Sequence, residues 1–204
     1  MAVVVSSEAL LAEATSRSGA GTVRAAVAAD TIDGVRPRLV ATPTSPEGLA
    51  ATLAWAAAER LQVLVRGGGT KLTWGAPVDR VDVVLSTTAL ASVVKHRHGD
   101  LTATVEAGAT LAQVNAVLAA HRQWLPLDGP WPERATVGGI IATNDSGPRR
   151  HRHGAPRDLI IGVTLARSDG QLAKAGGIVV KNVAGYDLSR LLTGSFGCLG
   201  VIVS

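Results

Sequence analysis

The stretch QVLVRGGGTK at 62–71 joins a short apolar segment to three consecutive glycines. The apolar part predicts a buried strand. Glycine has no Cβ, so the triplet can adopt positive φ and turn successive backbone N–H groups toward one point. Such a nest binds anions, phosphates above all, and Arg66, Thr70 and Lys71 would add charge and a hydroxyl at its rim. A tight turn that needs a permissive backbone is the slightly better explanation of the triplet taken alone.

The triplet matches neither of the common phosphate-binding motifs. The spacing G-x-G-x-x-G at the opening of a helix is absent, because residues 72–75 lead into a loop with Pro77. A P-loop has four residues between its glycines and then Gly-Lys-Ser/Thr, whereas here Lys71 follows Thr70. An ordinary nucleoside triphosphatase is therefore disfavoured.

The segments around the triplet predict a small α/β unit. Ser45-Pro46-Glu47 starts a helix, with serine as the N-cap and proline at the first helical position. A strand, a helix and a strand in this order are typical of α/β folds. Farther along, Thr110 and Gln113 have the spacing of a capping box. Further strands are predicted over 81–85, 101–106, 159–166, 176–180 and 200–203.

Composition bounds the class of protein. In a chain of 204 residues, 47% hydrophobic and 18% charged content indicates a folded protein rather than a disordered one. The net charge of +4 is mild and does not by itself indicate nucleic-acid binding. The single cysteine, Cys198, fits a reducing compartment, and we expect it to be small and buried. We expect no secretory signal and no transmembrane segment.

Three further groups of glycines follow the triplet. The second group, TVGGIIATNDSG at 136–147, combines two glycines with uncharged hydrogen-bonding side chains. The third group lies at 175–177. The last, GSFGCLGVI at 194–202, has G-x-x-G-x-x-G spacing, which is weak support for a site by itself.

Four separated segments together carry a family resemblance. They are RGGGTKLTWG at 66–75, TVGGIIATNDSG at 136–147, RHGAPRDLIIGV at 152–163 and VKNVAGYDLSRLLTGSFGCLGVI at 180–202. Their order and spacing resemble the PCMH-type flavin-binding domain of the vanillyl-alcohol oxidase / p-cresol methylhydroxylase group. The nearest resemblance is to the FAD-binding subunits of glycolate oxidase and related 2-hydroxy-acid dehydrogenases. It covers about 165 residues, and four motifs in register are more specific than any one of them.

The resemblance implies an α+β domain in two lobes. We expect a small α/β lobe at about 39–95, a larger β-rich lobe at 96–204, and a loosely docked N-terminal extension over 1–38. The family's cap domain, which covers the flavin, is expected to be absent from this chain. Truncation is the favoured reason, because an open strand end is a poor place to finish a fold. A subunit whose partner does the chemistry is the alternative.

The resemblance also implies FAD, bound at the glycine groups. The first group would present N–H groups to the pyrophosphate, the second would run along the flavin and ribityl chain, and the last would offer main-chain contacts. Several relatives attach the flavin to a histidine in or near the first loop; Thr70 stands there, so we expect non-covalent FAD. The implied site residues are Arg66, Gly67, Gly68, Gly69, Thr70, Lys71, Thr136, Val137, Gly138, Gly139, Thr143, Asn144, Ser146, Gly200, Val201 and Ile202.

The function implied is an FAD-dependent oxidoreductase of the glycolate oxidase/D-2-hydroxy-acid dehydrogenase type, with FAD as hydride acceptor. Its substrate would be a small 2-hydroxy acid, and its catalytic residues are not identified here. The alternative is a non-catalytic flavin-binding module, or a fragment that needs a partner chain. The flavin reductase of peptidoglycan precursor synthesis shares this type of fold, but residues 181–187 resemble the glycolate oxidase subunits more. We expect partner subunits and a cytoplasmic location, with any membrane association made through those partners.

Two histidine- and arginine-rich segments are not assigned to a site. The basic run at 148–153 is interpreted as a solvated loop, since no stacking aromatic is near it in sequence, and no nucleic-acid partner is expected. His96 and His98, like His151 and His153, stand at alternate positions, but no cysteine or carboxylate completes a ligand set, so no metal is expected.

Overall fold

A four-stranded mixed sheet, in the order β1-β2-β4-β3, forms the centre of the first lobe. The computed structural model describes residues 7–18, 22–177 and 187–204. Strands β2, β3 and β4 are parallel, and β1 adds antiparallel to β2. All four residues of the inner strand β4 are buried, as expected where both faces of a parallel sheet are covered. The strands are β1 Val23–Ala25, β2 Leu39–Ala41, β3 Val63–Arg66 and β4 Val83–Ser86.

The helix α2, Pro46–Ala58, connects two parallel strands of this sheet. Its predicted start is confirmed: the Ser45 side chain accepts a hydrogen bond from the N–H of Gly48 at 3.0 Å, and proline occupies the first turn. Leu49 and Ala56 are fully buried in the main core cluster.

The N-terminal segment is packed, so the expectation of loose docking is wrong for its described residues. Helix α1, Ser7–Ser18, buries Leu10 and Ala14 in the same core cluster as α2. Strand β1 pairs with β2. The domain boundary at residue 39 stays a prediction.

The second lobe begins with an antiparallel hairpin and continues through short helices. The hairpin joins β5 Val93–Arg97 to β6 Thr102–Val105. The predicted capping box is confirmed: the N–H of Gln113 donates to the Thr110 hydroxyl at 3.2 Å, and the Gln113 side chain accepts from the N–H of Thr110 at 2.9 Å. The helices are α3 Leu111–Ala119, α4 Val137–Thr143, α5 Arg150–His153, α6 Pro156–Leu159 and α7 Leu188–Leu192.

A three-stranded antiparallel sheet, in the order β8-β7-β9, completes this lobe. The strand predicted over 159–166 starts later, because Pro156 opens the helical turn α6. The strand predicted over 176–180 is not found as such: β8 ends at Gly176, and 178–180 lie outside the described residues. The strands are β7 Gly162–Ala166, β8 Leu172–Gly176 and β9 Val201–Ile202.

The two lobes share one core. Ala166, Val201 and Val203 of the second lobe belong to the buried cluster built on β2, β4 and α2. The architecture is thus the expected two-lobed α+β arrangement. Within the described parts of the chain, no helix is long and apolar enough to cross a lipid bilayer.

Candidate cofactor site

The glycine triplet at 67–69 lies between the end of β3 and the segment that leads into α4. A Cβ on Gly67 would overlap the Thr136 hydroxyl, and a Cβ on Gly68 would overlap the carbonyl of Arg134. Gly69 has φ of +68°, in the left-handed region that side chains avoid. Gly67 is therefore required by packing against a side chain, Gly68 by packing against a backbone carbonyl, and Gly69 by its conformation. The first and second glycine groups consequently lie side by side.

The cation before the triplet, Arg66, is paired inside the protein. Its Nη2 lies 3.1 Å from Oδ1 of Asp30. The other oxygen of this carboxylate, Oδ2, accepts from Nη1 of Arg24 at 2.7 Å and from the N–H of Val27 at 3.0 Å. The hydrogen bonds from the Arg24 guanidinium are the main reason that the pKa of the Asp30 carboxyl lies well below its usual range. Asp30 is only 3% exposed.

The cation after the triplet, Lys71, is paired as well. Its Nζ lies 2.9 Å from Oδ2 of Asp145, and the two side chains are 6% and 9% exposed. The same ammonium donates to the Thr70 hydroxyl at 3.3 Å. Sequence analysis placed the charges of Arg66 and Lys71 at the rim of an anion site. The structure instead places each beside a buried carboxylate.

The second glycine group forms the start of helix α4. The Thr136 side chain accepts from the N–H of Gly139 at 3.2 Å. The N–H of Val137 donates to the carbonyl of Ala109, and that of Gly138 to the carbonyl of Ala107, both at 2.8 Å. A Cβ on Gly138 would lie 2.6 Å from the Cβ of Ala107. Packing within the protein thus requires Gly138, a reason that the sequence did not reveal.

The end of α4 carries the three polar side chains assigned to the cofactor. The Thr143 hydroxyl donates to the carbonyl of Gly139 at 2.8 Å, so its proton is used within the helix. Asn144 closes the helix with φ of +51°. Its Oδ1 is buried and has no hydrogen-bond partner among the described residues. Buried polar atoms almost always have a partner, so this oxygen calls for a donor from a ligand or solvent. Ser146 is half-buried two residues farther on.

The last glycine group contacts α4 and β3. The N–H of Gly194 donates to the carbonyl of Ile141 at 3.0 Å, and the N–H of Phe196 to that of Ala142 at 2.9 Å. The neighbouring strand β9 pairs with β7. Because β9 is the edge strand of its sheet, its second row of backbone groups does not bond to β7. The structure therefore places the triplet at 67–69 against the group at 136–147, and that group against the one at 194–202.

A cavity of about 140 Å³ lies beside the last glycine group. Leu53, Val65, Ala166 and residues 197–201 line it, whereas the triplet at 67–69 does not. Its volume is below the range of about 300–1,000 Å³ that is usual for ligand sites, so it is too small to enclose a whole FAD molecule. Cys198 is exposed, so the expectation of a buried cysteine is wrong.

The segments that were not assigned to a site differ in two respects from expectation. Residues Arg150–His153 of the basic run form the short helix α5 rather than a loop. The Arg149 guanidinium lies 4.8 Å from the ring centroid of Trp124, and the His153 ring 5.3 Å from it, so an aromatic side chain does accompany the basic run. His121 stacks on His98 with ring centroids 4.1 Å apart. No group of three or more metal-ligating side chains is arranged to hold an ion in the portion of the chain that is described.

Sequence reasoning missed Asp30 and Asp145 as parts of this region. Asp30 lies in the segment interpreted as an extension, and Asp145 lies far from Lys71 along the chain. A buried aspartate in a loop is visible in a sequence only as a polar residue, so no local signal identifies either one.

The fold defines a class: a two-lobed α+β domain whose glycine-rich loops meet beside helix α4. Comparison with known families agrees. The family model of the FAD binding domain matches residues 37–187, and the chain belongs to this family. The family binds FAD, and the buried oxygen of Asn144 and the close-packed glycine triplet fit such a ligand.

Curated relatives include enzymes and enzyme subunits that act on 2-hydroxy acids. The chain is 36% identical to glycolate oxidase subunit GlcE of Escherichia coli over 72% of this chain and 42% of that protein. It is also 36% identical to D-lactate dehydrogenase of Archaeoglobus fulgidus, over 80% of this chain and 37% of that protein. It is 36% identical to D-2-hydroxyglutarate dehydrogenase of Xanthomonas citri pv. viticola, over 82% of this chain and 35% of that protein. The chain thus spans 35–42% of the length of these relatives.

Solved structures support the fold. Berberine bridge enzyme, in a variant complexed with (S)-reticuline, superposes with a TM-score of 0.75 at 18% identity over 94% of this chain and 41% of that one. Alkyldihydroxyacetonephosphate synthase superposes with a TM-score of 0.70 at 24% identity, over 82% of this chain and 33% of that one. At these identities the likeness concerns the architecture alone.

Proposed function

We propose that this chain is the FAD-binding part of a flavoenzyme that oxidises a small 2-hydroxy acid. The single observation that carries the cofactor assignment to these residues is the buried, unpartnered Oδ1 of Asn144, which lies in the group that contacts the glycine triplet through Thr136. The FAD, when bound, supplies the hydride acceptor. The chain's own contribution is to hold and orient it.

The site would work mainly through backbone groups. The N–H groups of Gly67, Gly68, Gly69 and Thr70 bind the pyrophosphate, whose negative charge a nest of N–H groups suits. Asn144 accepts a hydrogen bond from the cofactor. The segment 136–139 runs along the cofactor, with the N–H groups of 137–139 already bonded within the protein, and the outer edge of 200–202 supplies main-chain contacts. Ser146 is the remaining polar side chain placed beside the cofactor.

The substrate class is inferred from the relatives, whose names specify glycolate, D-lactate and D-2-hydroxyglutarate. Because the chain spans less than half of each, the groups that bind and deprotonate the substrate are not assigned to it. A flavin-binding module that depends on a partner chain is the second candidate, and it is favoured because the relative GlcE is a subunit of glycolate oxidase. Partner subunits and a cytoplasmic location, with membrane association only through those subunits, complete the proposal.

The first experiment measures bound flavin directly. The purified chain is incubated with FAD and desalted, and its visible absorbance spectrum is recorded. We expect about one flavin per chain, since the proposal has one cofactor site. A folded chain, as judged by circular dichroism, that retains no flavin would overturn the proposal. Addition of glycolate or D-lactate then separates the two candidates: an enzyme bleaches the flavin by itself, whereas a module does so only when its partner chain is added.

A variant tests the role of Asn144. Glycine adopts the left-handed conformation at least as well as asparagine, so Asn144→Gly keeps the helix end and removes the amide. We expect FAD affinity to fall by about fivefold, in the range of one lost hydrogen bond, with an unchanged thermal midpoint. Asn115→Gly is the control, because the Asn115 Oδ1 already accepts from the N–H of Leu125 at 2.7 Å. The control should lose stability and not affinity.

Non-covalent attachment is tested on the flavin-loaded protein. Acid precipitation should release all of the flavin into the supernatant, because Thr70 offers no imidazole for a covalent bond. Flavin that stays with the acid-denatured pellet would contradict this part of the proposal.

A further inference from the structure

The two ion pairs that flank the glycine triplet have a function of their own. We propose that Asp30 and Asp145 are positioning residues, which hold Arg66 and Lys71 at the two ends of the loop and keep the intervening N–H groups in the conformation that binds the cofactor pyrophosphate. Neither cation is then a ligand of the pyrophosphate. This inference rests on the proposed function.

The placement of the two carboxylates supports it. Arg66 is the last residue of β3, and Lys71 follows the loop by two residues after Gly69. Asp30 comes from the segment before β2, and Asp145 is the second residue after the end of α4. The loop is thus tied at one end to the first lobe and at the other to the second.

Burial shows that these pairs are parts of the protein interior. The Lys71 and Asp145 side chains are 6% and 9% exposed, and Asp30 is 4% exposed against 20% for Arg66. A buried charge is tolerated when it is paired, and removal of one partner leaves the other uncompensated. The Asp145 carboxylate offsets part of the Lys71 charge, although Oδ2 of Asp145 has no hydrogen-bond partner among the described residues.

The glycine content of the loop explains why it needs such ties. Glycine loses more conformational freedom on ordering than any other residue. A loop that is ordered before the ligand arrives lowers the entropy cost of binding. Two ion pairs supply that order without side chains in the loop itself, where a Cβ on Gly67 or Gly68 would overlap the neighbouring segment.

The alternative role for Lys71 predicts the opposite sign. If its ammonium bound the pyrophosphate, Asp145 would compete for that charge, and Asp145→Asn would tighten FAD binding. If the pair positions the loop, Asp145→Asn and Lys71→Met each weaken binding, and the double variant is no worse than either.

The experiment is a double-mutant cycle on FAD affinity with the purified chain, followed by flavin fluorescence. We expect each single variant to bind about tenfold more weakly, and the double variant equally so, as for residues in contact. Affinity of the unaltered chain should depend weakly on salt, and the uncharged double variant should show the same dependence, because it removes the cation and its paired carboxylate together. The thermal midpoint of each variant without FAD reports stability separately.

Asp82→Asn is the matched control. Asp82 is also buried, lies 2.9 Å from Arg80, and accepts from the N–H of Gln62 at the opposite end of β3. This variant should lose stability and keep the FAD affinity of the unaltered chain.

Several results would overturn the inference. They are tighter binding by Asp145→Asn, additive losses in the cycle, a lower salt dependence in the uncharged double variant, and an equal loss of affinity in Asp82→Asn. Should the single variants fail to fold, the uncharged double variant still decides, because neutral replacement of a buried pair is well tolerated. A folded double variant with unaltered affinity contradicts the inference. If the unaltered chain binds no FAD, the proposed function itself fails, which is a different outcome.

Discussion

The glycine loops at 66–71 and 194–200 look alike in sequence but need glycine for different physical reasons. In the first, Gly67 and Gly68 leave no room for a Cβ against the segment before α4. In the second, Gly194 and Gly197 have φ of +83° and +80°, and their nearest neighbours lie at 3.5 Å or more from an added Cβ. Gly67 and Gly68 are thus limited by contact, and Gly194 and Gly197 by backbone conformation, whereas Gly200 at the end of the second loop is limited by contact with Leu165 as well.

The difference determines how far the structural effect of an added side chain extends in each loop. A side chain added in the first loop must displace residues 134–136, which carry the N-cap of α4 and hence the second glycine group. A side chain added at Gly197 meets only the Val65 side chain at ordinary contact distance, and its cost stays local. The first loop also has ion pairs at both ends, whereas the second has exposed apolar side chains, Phe196 and Leu199.

The largest effect is expected from Gly68→Ala. The added Cβ would overlap the Arg134 carbonyl, so the variant should lose about 3 kcal/mol of unfolding free energy, as in overpacked cores, and most of its FAD affinity. Urea unfolding and a flavin titration measure the two. Gly99→Ala is the control, since nothing lies within 4 Å of its added Cβ. Equal behaviour of the two variants would remove contact as the distinguishing feature of the first loop.

The next largest loss of stability is expected from replacement of Asp30, which forms an ion pair at the start of the first loop only. Asp30→Asn should cost about 2 kcal/mol at neutral pH, less than a fully buried pair because Arg24 is half-exposed. The pKa of Asp30 is lowered in the folded chain, so its stabilisation is present above the unfolded pKa and is lost as the pH falls below it, from about pH 4 downward.

Urea midpoints of the unaltered chain and of Asp30→Asn, measured from pH 7 to pH 2, check this sign. The two curves should approach each other below about pH 4, because acid first protonates the carboxylate in the unfolded chain. Parallel curves over the whole range would show that Asp30 does not contribute through its charge.

A smaller effect is expected in the second loop from Gly197→Ala. The left-handed conformation costs a residue with a side chain roughly 1 kcal/mol, and no overlap adds to it. FAD affinity should remain within about twofold of the unaltered chain, since the strain stays local. The comparison between the loops breaks if this variant loses as much stability or affinity as Gly68→Ala.

The smallest effect is expected from Cys198→Ser, which changes an exposed side chain in the second loop. Stability should change by less than about 0.5 kcal/mol, as for most surface substitutions. In the folded, unaltered chain the thiol should react fully with a soluble disulfide reagent. A thiol that reacts only after unfolding would contradict its exposed position.

Local signals in the sequence were sufficient for several parts of the molecule. The strand ending at Arg66, the serine cap of α2 and the capping box of α3 are each specified by residues within one turn or strand. Four motifs in order were enough to indicate the family and its cofactor. The strand before Ala166 was placed too early, because the prediction did not allow for the helical turn that Pro156 opens.

The sequence by itself determined the cofactor class and the elements around the glycine groups, because capping, periodicity and motif order depend on neighbours along the chain. Only the tertiary structure decided that Asp30 and Asp145 hold the ends of the triplet, that Gly138 packs against Ala107, and that Cys198 is exposed. Ion pairs and close backbone contacts depend on distances across the fold. The sequence around a residue does not indicate which distant residue it will contact in the folded chain.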